Sequence, residues 1–152
     1  MRRVEIERRY QPFVLKHYRY WTLLLNERQR YLGRAVAWHL RPGSMQRFSA
    51  LSQRELVELR HITRQYEGVL NEMGWKPDHV NYAMLGNFFH EHDCHGHLHI
   101  IPRYRPRANP PAFMGITFED DRWGKNYTPE TTANIPARVL AELVRILKEK
   151  LR

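Results

Sequence analysis

The chain has a single cysteine in 152 residues, Cys94. No internal disulfide can form, which fits a reducing compartment. Long apolar runs are missing: the sequence offers short runs such as Leu23-Leu24-Leu25, far short of the ~20 apolar residues of a membrane span. No apolar block follows Arg2 and Arg3, so the start does not read as a secretory signal. Internal repeats and low-complexity tracts are also lacking. At this length one domain is expected, and a domain of this size buries roughly 70% of its unfolded surface, enough to hold without staples. The sequence therefore reads as a soluble, cytoplasmic domain.

Acids are scarce too. Asp and Glu number 16 against 25 Lys and Arg, a formal charge of +9, and most of the cations are arginines. Arginine grips phosphate through a planar fork of donors, where lysine offers a point charge. Such a balance serves solubility, and it equally suits a polyanionic partner: nucleotide, nucleic acid or phosphorylated protein. Two clusters stand out, Arg2-Arg3 with Arg8-Arg9 and Pro102-Arg103-Tyr104-Arg105-Pro106-Arg107.

The patterning predicts an α+β domain with an antiparallel sheet of about five strands, one long helix and a C-terminal helix. Residues 1–16 read as a mixed-charge arm, 17–107 as the core and 108–152 as an extension ending in a helix. His17 to Asn26 and Arg34 to Leu40 read as paired strands, since their connection is too short for a crossover helix. Ser52 and Glu55 form a capping box, after which Leu56, Leu59, Ile62, Tyr66, Val69, Leu70 and Met73 recur at helical spacing. Gly74 is placed to end that helix. His79 to Leu85 and His95 to Ile101 read as further strands, and Asn109 opens an irregular stretch to about Thr132. Pro136 begins a last helix with Val139, Leu140, Leu143, Ile146 and Leu147 as its apolar face.

The informative segment is His95-Gly96-His97-Leu98-His99-Ile100-Ile101. Strand side chains alternate, so the three histidines share one face while Leu98 and Ile100 point to the core. Chance can place histidines so. Zinc is a second reading, but His95 and His99 would lie ~13 Å apart along a strand, too far to share one ion at ~2.1 Å. Covalent phosphoryl chemistry is a third: a neutral imidazole attacks phosphorus while flanking imidazoles and arginines neutralise the oxygens. The third accounts for the triplet, the arginine bias and the strand placement together.

This segment resembles the signature of the histidine triad superfamily, and the likeness extends over about residues 20 to 107. Tyr20 to Pro42, with Leu24-Leu25-Asn26 and Leu40-Arg41-Pro42, resembles the strand-turn-strand of the fragile histidine triad branch. Phe48-Ser49-Ala50-Leu51 and the capped helix resemble that branch's long helix. Asn81 with Leu85-Gly86-Asn87 resembles a bacterial subgroup.

The resemblance implies a nucleotide hydrolase or nucleotidyl transferase acting at an α-phosphate. His97 would be the nucleophile and carry the nucleotidyl group, His99 would contact the phosphate oxygens and His95 would support the strand. Asn26 would hold the ribose hydroxyls, an amide offering both donor and acceptor, and Asn87 would lie near the leaving oxygen. The substrate would be of the dinucleoside polyphosphate or nucleoside phosphoramidate class, with no cofactor and no metal required. Alternatives are a nucleotide-binding module with little turnover and a nucleic-acid-associated protein. A homodimer is expected, since similar proteins pair through the long helix and a central strand and an unpaired edge is a liability.

The chain also departs from the pattern. Phe88-Phe89-His90-Glu91-His92-Asp93-Cys94 is longer than the bacterial subgroup shows, Met84 stands where a polar residue is expected, and Arg34 stands where family turns often end in histidine. The added segment reads as a polar loop at the site rim, with His92 a candidate nucleotide contact. Metal binding by His90, His92 and Cys94 is the competing reading.

Overall fold

The computed structural model describes residues 3–42, 47–85, 96–126 and 135–152. Strands β1 (Val14–His17), β2 (Trp21–Leu25), β3 (Ala35–His39), β4 (His79–Ala83) and β5 (His97–Arg103) form one antiparallel sheet in the order β1-β2-β3-β5-β4. With helices α1 (Gln53–Glu72) and α2 (Ala137–Lys150), this is the expected α+β architecture.

The single strand expected from His17 to Asn26 is two. A reversal at Tyr18 to Tyr20 ends β1 and begins β2, closed by the Tyr18 N–H on the Trp21 carbonyl at 2.9 Å. The Glu58 carboxylate of α1 fixes this reversal by accepting the backbone N–H groups of Arg19 and Tyr20 at 3.1 and 2.6 Å. Part of the expected N-terminal arm is therefore strand, preceded by a 3-10 turn over Arg8–Phe13. The stretch after Asn109 is also more regular than expected. A small hairpin, β6 (Ala112–Phe113) and β7 (Ile116–Thr117), turns through Met114 and Gly115 at φ 49° and 77°, the left-handed pair that suits tight hairpins.

Helix α1 starts as its sequence dictates. Ser52 Oγ accepts from the Glu55 N–H, and the Glu55 carboxylate accepts from the Ser52 N–H. Leu59, Ile62, Tyr66, Val69 and Leu70 are buried, while Leu56 and Met73 form the half-buried flanks. On α2 Val144 is buried in place of the expected Ile146. Val144 stands four residues after Leu140 and three before Leu147, on the stripe itself, whereas Ile146 is turned ~100° away from Leu147.

Both helices cover one face of the sheet. Trp21, Leu23, Leu25, Ala35, Ala37, Leu98 and Ile100 join their apolar residues in a single core. The turn into β3 rests on α1: a Cβ on Gly33 would stand 2.6 Å from Leu70 Cδ2, and its φ of +85° is a further bar to any other residue. Tyr66 Oη donates to the Gly33 carbonyl at 2.7 Å. On the opposite face Ile6, Val14, Leu24, Trp38 and Leu40 form a second cluster, with Tyr10 edge-on to Trp38 at 5.4 Å. The N-terminal segment thus roofs this face over β2 and β3. Among the described residues no helix is long and apolar enough to cross a membrane.

Candidate active site

Register places the two described histidines of the triplet. Val36 pairs with His99 and Trp38 with His97 across β3 and β5, and directly opposed residues share a face. His97 and His99 therefore lie on the face away from the helices, while Leu98 and Ile100 are buried beneath them. Both histidines are half-buried. Their rings meet edge to face, centroids 4.8 Å apart at 85°. His95, Asn87, His92 and the His90 to Cys94 loop lie outside the described residues.

Arg34 is a buried cation close enough to His99 to act on its imidazole. It is 5% exposed and stands just before β3, where the Asn26 N–H donates to its carbonyl at 3.0 Å. Continuing the register puts Asn26, Arg34 and Ile101 on one rung, facing the same way as His99. Burial first, then the positive neighbours His97 and Arg34, push the His99 imidazole down to about 3. His99 is therefore neutral near pH 7, and its buried Nδ1 has no hydrogen-bond partner among the described residues. A buried polar nitrogen left so costs roughly 1–3 kcal/mol.

Two of the three arginines at and beyond the end of β5, Arg103 and Arg107, serve structure instead. Arg103 is 4% exposed. Its Nε and Nη2 donate to the two Asp120 carboxylate oxygens at 2.6 and 3.0 Å, and Nη2 also donates to the Arg122 carbonyl at 2.6 Å. Arg107 donates to the Trp75 carbonyl at 2.7 Å and lies 3.9 Å from Asp78. The expectation that this cluster meets phosphate is corrected for both residues: each is held by an aspartate or a carbonyl. The sequence signal for Arg34 is its place at the turn before β3, where family turns often end in histidine.

Asn26 is half-buried at the end of β2, about 12 Å from His99 by strand spacing. Its Oδ1 accepts from the Arg28 N–H at 2.8 Å. That oxygen serves the turn, and the amide nitrogen is the group left to offer a ligand.

Titration of His99 makes stability depend on pH. Unfolded, an imidazole has a pKa near 6.5. Between roughly 6.5 and the folded value of about 3 the unfolded chain binds a proton that the folded chain refuses, so stability falls as pH falls through this window. The slope is at most about 1.4 kcal/mol per pH unit for one group. His39, which burial also pushes down, adds in the same direction. Urea unfolding at a series of pH values should give a shallower slope for His99→Asn than for the wild type, and equal slopes would contradict the assignment.

No family model matches the sequence, and no curated protein does either. Solved structures do. A histidine triad protein from Bradyrhizobium japonicum superposes at a TM-score of 0.64, with 18% identity over 97% of this chain and 98% of that one. A hypothetical histidine triad nucleotide-binding protein from Sulfolobus tokodaii gives 0.60, with 15% identity over 91% and 83%. A zinc-bound histidine triad family protein from Mycobacterium smegmatis gives 0.56, with 16% identity over 91% and 83%. The likeness runs over nine-tenths or more of the chain in each case: the chain has the fold of histidine triad proteins.

Proposed function

We infer that this protein binds a nucleotide and acts at its α-phosphate as a hydrolase or nucleotidyl transferase. The observation that carries the reading is the pairing of His97 and His99 on the open face of a central strand, with buried Arg34 beside them. In the proposed reaction a lone pair of the His97 ring forms a bond to the α-phosphorus. The bond from phosphorus to the leaving group breaks, and that group departs with the electron pair and takes up a proton. Water, or an acceptor hydroxyl, then breaks the phosphorus–nitrogen bond and releases the nucleotide.

Arg34 supplies fixed positive charge, and neutral His99 can donate a ring N–H to a phosphate oxygen. Charge developing on those oxygens is where preorganised donors act most strongly. Asn26, Asn87 and His92 are proposed to contact the nucleotide and His95 to support His97. The phosphate dianion would raise the His99 pKa, so binding should draw a proton from solution. The substrate is proposed to be a dinucleoside polyphosphate or a nucleoside phosphoramidate. Rapid acid quench with a labelled nucleotide tests the reading, the expected result being an acid-labile adduct on His97.

The +9 charge favours nucleic acid as a second partner; a steep loss of RNA affinity with salt would support it. A homodimer is also proposed. Strand β4 ends the sheet, and Tyr82 on it is 41% exposed. Light scattering at micromolar concentration should give twice the mass of one chain; a monomer mass would count against the pairing.

A further inference from the structure

The face that carries His97 and His99 continues onto edge strand β4. Ala83 pairs with His99, Asn81 with Ile101 and His79 with Arg103. Ala83, Asn81 and His79 therefore follow one another along one side of the sheet, and the His79 rung lies about 13 Å from that of His99. Asn81 and His79 are exposed. Where this run ends, the His79 ring lies nearly parallel to the Trp123 indole, centroids 5.8 Å apart at 19°. The Arg105 guanidinium sits over the same indole, 5.6 Å from its centre.

Core packing does not account for the trio. Trp21, Trp38 and Trp75 are buried; Trp123 is half-exposed and belongs to neither apolar cluster. The acids nearby are already engaged. Asp120 holds Arg103, Asp121 holds Arg30, and Asp78 accepts the Arg105 backbone N–H at 2.8 Å beside Arg107. The side chains of Arg105, Arg122 and Lys125 make no ion pair among the described residues, against which stands the carboxylate of Glu119, so the local charge is positive. Aromatic faces beside such cations are the combination that holds a flat heterocycle on an anionic tether.

We propose that Trp123, His79 and Arg105 form a second, leaving-group subsite that takes a nucleobase joined through phosphates to the nucleotide at His97. This rests on the function inferred above and adds what the leaving group carries. Ala83 is small enough to leave passage next to His99, and the Asn81 amide faces the phosphate chain on its way to His79.

Two methylene-bridged probes of equal phosphate number test it: a diadenosine triphosphate analogue and the ATP analogue that lacks the second adenosine. Stacking of one base is worth about 10-fold or more in affinity. The wild type should prefer the first probe by that factor, Trp123→Phe should keep the preference, and Trp123→Ala and His79→Ala should each abolish it. Trp123 fluorescence should be quenched by the first probe alone. If Trp123→Ala does not fold, His79→Ala at an exposed position decides. Binding of both probes without preference, or a preference that survives in His79→Ala, overturns the subsite. Failure of the wild type to bind even the ATP analogue overturns the nucleotide reading, and the subsite with it.

Discussion

His97→Ala should abolish turnover while leaving the fold and nucleotide binding in place. The side chain lies on the open face of β5, half-buried, and the core residues of that strand are its neighbours Leu98 and Ile100. Truncation removes no packing from the core, so the melting temperature should hold. Arg34 and His99 would still meet the phosphate. Loss confined to turnover marks a group acting in the chemical step. Acid quench should find a labelled adduct on the wild type and none on His97→Ala. His99→Ala should instead lower the rate about 10²- to 10³-fold, the range for removing one stabilising donor. An adduct that persists in His97→Ala would sink the mechanism.

Asp120→Ala should destabilise the fold by about 3–5 kcal/mol, the cost of stranding one member of a buried ion pair. Arg103 and Asp120 have side chains 4% and 0% exposed. The carboxylate also accepts the Arg122 and Tyr104 N–H groups at 3.1 and 3.4 Å, so its loss strands four donors, two of them on the Arg103 guanidinium. Denaturant unfolding should show the midpoint of Asp120→Ala far below that of Asp121→Ala. Asp121 pairs with Arg30 at 2.6 Å but is 61% exposed, and such pairs contribute less than about 1 kcal/mol. Comparable midpoints would mean that the burial of the pair carries no energetic weight.

These two residues also mark where reading the sequence succeeds and fails. The placement of His97 on the face away from the helices was legible because alternation along a strand is local, as were the capping box at Ser52 and Glu55 and the apolar stripe of α1. Arg103 sits in a run of arginines beside the histidines, and nothing local reveals that Asp120 folds back over it. Its partner is set by tertiary packing across 17 residues. The reversal at Tyr18 to Tyr20 was hidden for a similar reason, since Glu58 of α1 holds it. Aromatic and leucine residues on both sides of that turn read as one strand. Arg34 was visible only as an exception to a pattern, and its burial beside His99 depends on strand pairing that the turn sequence does not specify.

The order of the strands has a kinetic consequence. Hairpins β1–β2 and β2–β3 close short loops, whereas β5 enters the sheet next to β3 only after all of α1 and β4 have been made, pairing His97 with Trp38 across about 60 residues of chain. Loop closure of that length is entropically expensive, and pairings of this kind slow folding. Arg34 and His99 come together only in that last pairing. A refolding chain should therefore regain helical circular dichroism before Arg34 and His99 stand side by side, and a nascent chain still on the ribosome cannot bring them together until β5 has cleared the exit tunnel.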